Sequence, residues 1–470
     1  MNFVSWAFAL LFAVVMLARL TIGRRHNEAP FLGVLLVASL GFYAWHIPAY
    51  LLVLVASSSI DYVAARAIHA APPGAPSRWR WLVASLVSNL GLLGVFKYGD
   101  FLLRALEDAG AVADVDVRMP ALGLVLPMGI SFYTFQALSY TIDVYRGRLA
   151  PIRAYGRFLL FITFFPQLVA GPIVRATEFL PQMPRPRHLT RQAFHQGAWL
   201  LVLGFFLKMV CADNLAAYVD EYWDRGMREG TSATFALWLG VMFSGQIFAD
   251  FCGYSTIAQG LGYWLGYRFP ANFNAPYIAA SFKNFWERWH ITLSRWLRDY
   301  LYLPLGGNRG SRTRTMVNLL TVMLLGGLWH GAAYTFIAWG AIHGLCLAVE
   351  RLLGLHRASS RPWFVAAAWA VVVQAAVLVA WVFFRSPTIG GAWTFLVNVA
   401  TGPWVAPETW MLGALGFLAP LVMLHAWTWT VERAPRLTLA PPLRAVLAAA
   451  MAYAILTAHG GTSEFIYFQF

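Results

Sequence analysis

The sequence predicts an all-α polytopic membrane protein, because it is strongly apolar, contains many long apolar runs and lacks a β-barrel pattern. Of its 470 residues, 59% are hydrophobic and 12% are charged, a balance that soluble domains do not show. Roughly ten to thirteen membrane segments fit in the chain if each needs about 20 apolar residues. The runs lack the ~10-residue alternation of an outer-membrane barrel, and a helix satisfies its own backbone polar groups in lipid.

The apolar runs follow one another along the whole chain without a linker or a repeat. They fall at about 3–20, 32–45, 47–65, 81–97, 121–142, 157–173, 195–211, 233–265, 316–348, 364–384, 391–400, 411–430 and 443–458. Arg24 and Arg25 follow the first run instead of preceding it, so we expect a retained helix and not a cleaved signal peptide. We therefore predict one membrane-embedded domain over residues 1–470.

The formal charge of +14 is explained by basic loops and not by nucleic-acid binding, because cytoplasmic loops of membrane proteins are rich in Lys and Arg. The basic stretches 66–80, 146–153 and 184–191 are expected in the cytoplasm, and the acidic stretch 105–117 outside. This orientation requires the segment 157–173 to dip into the membrane and return. Such non-helical backbone at membrane depth is tolerated only where it is buried in protein or lines a cavity.

An amphipathic segment runs from Phe282 to Leu301. Its apolar residues recur at three- and four-residue spacing, which predicts one helix with an apolar stripe. The opposite face is largely basic, as in helices that lie at the membrane surface. His290 lies at the edge of the stripe and is expected to point inward, either as a hydrogen-bonded structural residue or as a functional one.

A second histidine, His330, lies inside the apolar run Met316–Ala348. An ionisable residue within a membrane segment is costly and by default indicates function. The small residues around it, in Gly326–Gly331, would let another helix or a substrate approach closely. His343 lies thirteen positions further on, where one continuous helix would turn it to nearly the opposite side, so we expect it to be structural.

The loop between the two histidines carries three arginines, Arg309, Arg312 and Arg314, among several glycines. These arginines are candidates for binding the phosphates of a donor, although the loop lacks a Walker GxxxxGK[ST] pattern. The alternative is an ordinary basic cytoplasmic loop. The three cysteines are widely separated, so no metal site is predicted. GxSxG, HExxH and GxGxxG are also absent, which leaves histidine-based chemistry in the membrane.

Six blocks of the sequence resemble the membrane-bound O-acyltransferase family. They are Pro127–Gly147, Phe165–Pro172, Asp250–Gly262, Phe285–Asn308, Gly326–Gly331 and Phe465–Phe470. The blocks are most similar to the bacterial branch that O-acetylates alginate or D-alanylates teichoic acid. They cover about residues 120–350, the motif-bearing core, and the C-terminus.

The resemblance implies that His330 is the active-site histidine and that His290 is its partner. It also implies re-entrant and surface helices around a central tunnel that admits a cytoplasmic acyl thioester. The expected donor is acetyl-coenzyme A or an acyl carrier thioester, with no permanently bound cofactor. The expected partners are a periplasmic acetyltransferase or relay protein, a cytoplasmic acyl carrier and membrane lipid.

A mechanism follows from the chemistry of acyl transfer to a hydroxyl, which needs a base and stabilisation of an oxyanion. A neutral imidazole suits the first task near pH 7, and burial disfavours the imidazolium. We assign His330 as the base and His290 as the residue that orients the substrate or stabilises charge, although exchanged roles fit equally well.

The predicted function is O-acetylation of a cell-surface polysaccharide, most simply of the alginate type, by a multi-pass protein of a bacterial inner membrane. A non-catalytic transporter or flippase for a lipid-linked sugar is the main alternative, because it would also contain intramembrane histidines. A structural subunit of an export complex is a third reading. The sequence does not choose among alginate, cellulose, peptidoglycan and teichoic acid as acceptor.

Overall fold

The computed structural model describes residues 3–22, 29–168, 171–184, 186–356, 362–461 and 465–466. Within these ranges the regular structure is helical throughout, with no β-strand. The predicted all-α class is therefore confirmed. Arg24 and Arg25, together with residues 169–170 and 467–470 of the family-like blocks, lie outside the described residues, and the predicted orientation stays a prediction.

Seven helical runs in the described part of the chain are long and apolar enough to cross a membrane. They are Tyr50–Ala70, Pro76–Val112, Arg191–Gly226, Ala233–Leu265, Tyr334–Leu352, Trp363–Arg385 and Thr409–Arg433. Four shorter apolar helices accompany them, at Trp6–Thr21, Ala29–Ala44, Ile389–Thr401 and Pro441–Thr457. The protein is thus a polytopic membrane protein, while the central tunnel remains a prediction.

The chain divides into two compact units, one formed by Met1–Ala198 with Ala258–Pro270 and the other by Trp199–Ile257 with Ala271–Phe470. The single-domain prediction is not tested by this division. The first unit contains α1 (Trp6–Thr21), α2 (Ala29–Ala44), α3 (Tyr50–Ala70), α4 (Pro76–Leu93), α5 (Gly99–Val112), α6 (Ile130–Tyr145), α7 (Tyr155–Thr163), α8 (Phe165–Leu168), α9 (Ala176–Phe179) and the start of α10 (Arg191–Phe205).

In the first unit, the segment expected to dip into the membrane forms two short helices, α7 and α8, separated at Phe164. A helix of nine residues is only about 14 Å long, less than half of the ~30 Å hydrocarbon core. Neither helix is long enough to cross the membrane, which agrees with the predicted re-entrant segment. Elsewhere in this unit, the buried Asp61 carboxylate joins α3 to α4 by accepting hydrogen bonds from Ser85 and Asn89.

The second unit contains both candidate histidines. It holds the rest of α10 and most of α12 (Ala233–Leu265), whose residues 258–265 belong to the first unit. Its other helices are α11 (Asp213–Gly226), α13 (Phe282–Arg288), α14 (Ile291–Leu297), α15 (Arg312–His330), α16 (Tyr334–Leu352), α17 (Trp363–Arg385), α18 (Ile389–Thr401), α19 (Thr409–Arg433) and α20 (Pro441–Thr457). Among the described residues of both units, π-helical segments follow α4 at Gly94–Tyr98, α10 at Phe206–Ala212 and α14 at Arg298–Tyr302.

The long apolar run at 316–348 is two helices, α15 and α16, that fold back on each other and cross at glycines. A Cβ atom on Gly327 would lie 2.2 Å from the Phe336 carbonyl oxygen, and one on Gly340 would lie 2.4 Å from the Met323 carbonyl oxygen. No other residue permits this approach, because real side chains do not make contacts so short. The small residues near His330 are predicted to let another helix approach closely, and α16 is the helix that approaches.

We predict that Gly340→Ala destabilises the protein by about 1–3 kcal/mol, because the added methyl group overpacks a backbone-to-backbone contact. The measurement is thermal unfolding of the full chain in detergent. Gly416→Ala is the matched control, since it adds the same methyl group to a helical glycine with nothing within 4 Å. Equal unfolding temperatures for the two variants would contradict the crossing.

Candidate active site

His330 is the last residue of α15 and lies in an aromatic enclosure. Its side chain is 3% exposed. The ring centroids of Trp339 and Phe384 lie 4.9 and 5.4 Å from that of the imidazole, and that of the neighbouring Trp329 lies at 5.0 Å. Gly331 follows in an extended conformation and ends the helix. The imidazole is thus held at a helix C-terminus among large apolar rings.

His290 lies at a break in the chain, between α13 and α14. The predicted single helix over 282–301 is wrong here, because His290 adopts the left-handed conformation, with φ +42° and ψ +54°. This region is costly for a residue with a Cβ atom, and such strain concentrates at functional sites. The break turns the imidazole fully into the protein, with no exposed surface, so the expectation that it points inward is confirmed.

Asn272 orients the His290 ring. Its Oδ1 lies 3.1 Å from His290 Nδ1 and also accepts hydrogen bonds from the backbone N–H and the hydroxyl of Thr292. The Thr292 N–H identifies Oδ1 as an acceptor, so His290 Nδ1 carries the proton and donates it to Oδ1. The Nε2 atom of the neutral ring therefore carries the lone pair.

The environment keeps His290 neutral. Burial lowers the pKa of His290 to about 3, because the charged imidazolium loses its hydration in the interior. The ring packs edge-on against Phe251, with the centroids 4.7 Å apart, and Asn272 contributes no negative charge. At neutral pH the group is an imidazole and not an imidazolium.

One indole joins the two histidines. The Trp329 ring contacts His330 at 5.0 Å and His290 at 5.9 Å between centroids. The two histidines are forty positions apart in the sequence, and the structure brings both to the same buried tryptophan. It therefore places the two predicted catalytic residues in one site.

His343 does not face away from His330, contrary to the expectation from one continuous helix. The chain breaks after His330, and α16 returns alongside α15, so the two imidazoles contact the same Trp339 ring at 4.9 and 4.7 Å. His343 is 1% exposed and also packs against Phe285 and Trp286. It belongs to the wall of aromatic rings next to His330.

A buried charged cluster next to the site went unnoticed in the sequence. The Lys208 ammonium lies 2.7 Å from a carboxylate oxygen of Asp213 and 2.7 Å from one of Asp250. Asp250 also accepts a hydrogen bond from the backbone N–H of Ile466, and it precedes the Phe251 that packs on His290. Ionisable residues inside apolar runs are the signal that would have found this cluster.

The three candidate arginines lie away from the histidines, in and after the loop that precedes α15. Arg314 donates a hydrogen bond to the Leu305 carbonyl and so holds the loop. Arg312, in the first turn of α15, lines a surface pocket with Asn308 and Arg351. Arg309 is exposed. Their proposed role in binding a donor stays a prediction.

A polytopic membrane protein with two imidazoles at one buried indole has the features of a membrane-embedded group-transfer enzyme, and sequence comparison identifies the family. The profile of the membrane-bound O-acyltransferase family (MBOAT) matches residues 155–386. The chain is 40% identical over 416 residues to the probable alginate O-acetylase AlgI of Pseudomonas aeruginosa, covering 87% of this chain and 76% of that protein. The chain therefore belongs to this family and is an acyltransferase.

Two further relatives show how widely the family's acceptors differ. A peptidoglycan O-acetyltransferase of Helicobacter pylori is 38% identical, over 76% of this chain and 71% of that protein. A teichoic acid D-alanyltransferase of Streptococcus thermophilus is 31% identical, over 47% of this chain and 56% of that protein. The membrane-bound core is thus common to proteins named for different acceptors.

We predict that Lys208→Met lowers stability by about 3–5 kcal/mol, because it leaves two carboxylates buried without a counter-charge. Thermal unfolding of the purified full chain measures this loss. The triple variant Lys208→Met/Asp213→Asn/Asp250→Asn removes the uncompensated charge and should recover much of the stability. A triple variant as unstable as the single one would show that charge pairing is not what holds this cluster.

We also predict that Asn272→Asp shifts the acid limb of the activity profile to higher pH, by about 1–3 units. A carboxylate beside Nδ1 favours the imidazolium and raises the pKa of His290, so the neutral ring is lost as the pH falls through this raised value. Acetyl transfer is measured in membranes between about pH 4 and 8, because a rise of this size moves the pKa of His290 from about 3 to about 4–6. Asn272→Ala is the control, since it removes the hydrogen bond without adding charge and should lower activity with no such shift. Superimposable profile shapes for the two variants would contradict a neutral His290.

Proposed function

We propose that the protein transfers an acetyl group from a cytoplasmic thioester to a hydroxyl on the pathway to a cell-surface polysaccharide. The observation that carries this proposal is the convergence of His330 and His290 on Trp329 in a chain of the acyltransferase family. The similarity to alginate and peptidoglycan O-acetylases favours acetyl as the acyl group and a polysaccharide as the final acceptor.

The reaction requires one proton to move twice. His330 takes the proton of the acceptor hydroxyl while the oxygen attacks the thioester carbonyl, which forms a tetrahedral oxyanion. The carbon–sulfur bond then breaks, the proton passes to the leaving thiolate, and the ester and the free thiol are the products. Proton transfer by a positioned side chain contributes about 10²–10⁴-fold to the rate of such a step.

The geometry favours His330 as the base. It ends α15, and the C-terminus of a helix stabilises a positive charge, which the imidazole acquires when it takes the proton. His290 is held neutral, with its proton on Nδ1 directed to Asn272. Its Nε2 can accept a hydrogen bond but cannot donate one. The single proton of the attacking hydroxyl goes to His330, so His290 is suited to orienting the acceptor by accepting from another O–H or N–H group on it, and not to binding the oxyanion.

The surroundings suit a reaction that water must not enter. Trp339, Phe384 and Trp329 enclose His330, and exclusion of water prevents hydrolysis of the thioester and strengthens polar interactions within the site. We propose that acetyl-coenzyme A or an acyl carrier thioester is the donor. A periplasmic acetyltransferase or relay protein then receives the acetyl group, and the bacterial inner membrane is the location.

We predict that His330→Ala reduces acetylation of the surface polysaccharide by at least about 100-fold, the lower bound for loss of a general base. The acetyl content of the polymer is measured in cells in which the variant and the unaltered protein have equal membrane abundance. His459→Ala is the control, because it removes an exposed imidazole outside the site. Normal acetylation in His330→Ala would exclude this mechanism, and lost polymer export with normal acetylation of the remainder would favour a transporter.

A further inference from the structure

A pocket of about 360 Å³ lies where the start of α15 meets the end of α16. Arg312 and Thr315 line it from the first turn of α15, and Arg351 lines it from the last turn of α16. Asn308 and His356 complete its polar walls. Its volume falls within the range of about 300–1,000 Å³ that is usual for small-molecule sites.

The walls of the pocket are cationic. Two guanidinium groups and an imidazole line it, and none of the described lining residues is acidic. Glu350 is next in sequence to Arg351 but is 1% exposed. Its carboxylate accepts hydrogen bonds from the backbone of Phe282 and Lys283 and from the Trp369 indole. The nearest acid in the sequence is therefore committed to joining α13, α16 and α17.

The N-terminus of α15 adds to this character, and hydrogen bonds satisfy carbonyls at the opposing C-terminus of α16. The pocket lies at the N-terminus of α15, a helix of 19 residues, where the helix dipole is positive. At the end of α16 the carbonyls of Val349, Glu350 and Arg351 accept backbone hydrogen bonds from residues 353–355, and Gly354 makes the turn with φ +69°. The carbonyls that would repel an anion are thus already hydrogen-bonded.

We propose that this pocket binds the phosphate group of a small organic phosphate or of a lipid headgroup. Arginine forks bind phosphate oxygens through paired, charge-assisted hydrogen bonds, and Arg312 and Arg351 approach the same space from opposite helices. If the ligand is coenzyme A, the proposal rests on the proposed function. Arg312 is the one of the three candidate arginines among the described lining residues. Arg351, Asn308 and His356 then join it in binding the phosphate.

The pocket is separate from the histidine site. Arg312 and His330 are the first and last residues of α15, so about 27 Å of helix axis separates them. This distance is close to the thickness of the hydrocarbon core of a bilayer. Substitutions at the pocket therefore leave the imidazoles and their aromatic enclosure intact, and phosphate binding is measurable apart from catalysis.

The experiment measures binding to the full chain in phosphatidylcholine nanodiscs, with coenzyme A as the probe and phosphate-free pantetheine as the comparison. Arg312→Gln/Arg351→Gln is expected to weaken coenzyme A binding by at least about tenfold and to leave pantetheine binding unchanged. Arg228→Gln/Arg436→Gln is the control, since it removes two exposed arginines that do not line the pocket. Arg312→Lys/Arg351→Lys keeps the charge without the forks and should bind with intermediate affinity.

A second measurement identifies the source of the phosphate. Thermal unfolding is compared in nanodiscs with and without phosphatidylglycerol. Coenzyme A binding lost only in the pocket variant supports a soluble phosphate, and stabilisation by phosphatidylglycerol lost only in that variant supports a lipid headgroup. If the pocket variant matches the control variant in both measurements, the proposal is wrong.

The result is independent of the acyl-transfer mechanism. His330→Ala is expected to bind coenzyme A like the unaltered protein while failing to transfer acetyl. Normal acetylation in His330→Ala, with coenzyme A binding still lost in the pocket variant, would remove the proposed mechanism and leave the phosphate site. If His330→Ala fails to transfer acetyl while the pocket variant keeps normal coenzyme A binding and phosphatidylglycerol stabilisation, the proposed mechanism stands and the phosphate site is wrong.

Discussion

The close crossing of α15 and α16 is the constraint on which the active site depends. Glycines at 327 and 340 bring the two backbones within contact distances that no side chain tolerates. Helices in membranes associate largely through such packing, since lipid supplies no hydrophobic drive between them. The crossing places Trp339 of α16 against His330 at the end of α15, and without it the imidazole would lose much of its aromatic enclosure.

The second half of the site depends on a local irregularity of the backbone. A regular helix through His290 would align its side chain with those of α13 and α14, whereas the left-handed residue redirects it towards Asn272. The conformational cost is of order 1–3 kcal/mol, and the hydrogen bonds of Asn272 to Thr292 help to hold the break in place. The left-handed backbone sets the direction of the imidazole, and the hydrogen bond to Asn272 sets its tautomer.

Burial among aromatic rings suits the site to its chemistry, and it also makes isolated charges nearby costly in free energy. It keeps His290 neutral and restricts the access of water, which suits the transfer of an acyl group. The same low dielectric makes isolated charges costly, and each buried ion beside the site accordingly has a partner, as in the cluster of Lys208, Asp213 and Asp250. The cationic pocket at the far end of α15 instead keeps its arginines at an exposed surface.

The sequence by itself determined the membrane class and the family, and it singled out both histidines as candidates, because apolar runs and contiguous motifs are local properties of the chain. It did not reveal the breaks at His290 and after His330, since the first stretch keeps helical periodicity and the second stays apolar through the interruption. The error over His343 followed directly from the second break. Tertiary structure alone decided that His290 joins His330 at Trp329, that Lys208 pairs with Asp250, and that Arg312 and Arg351 line one pocket. The two residues of each pair are about forty positions apart in the sequence, and only the packing of the chain brings them together.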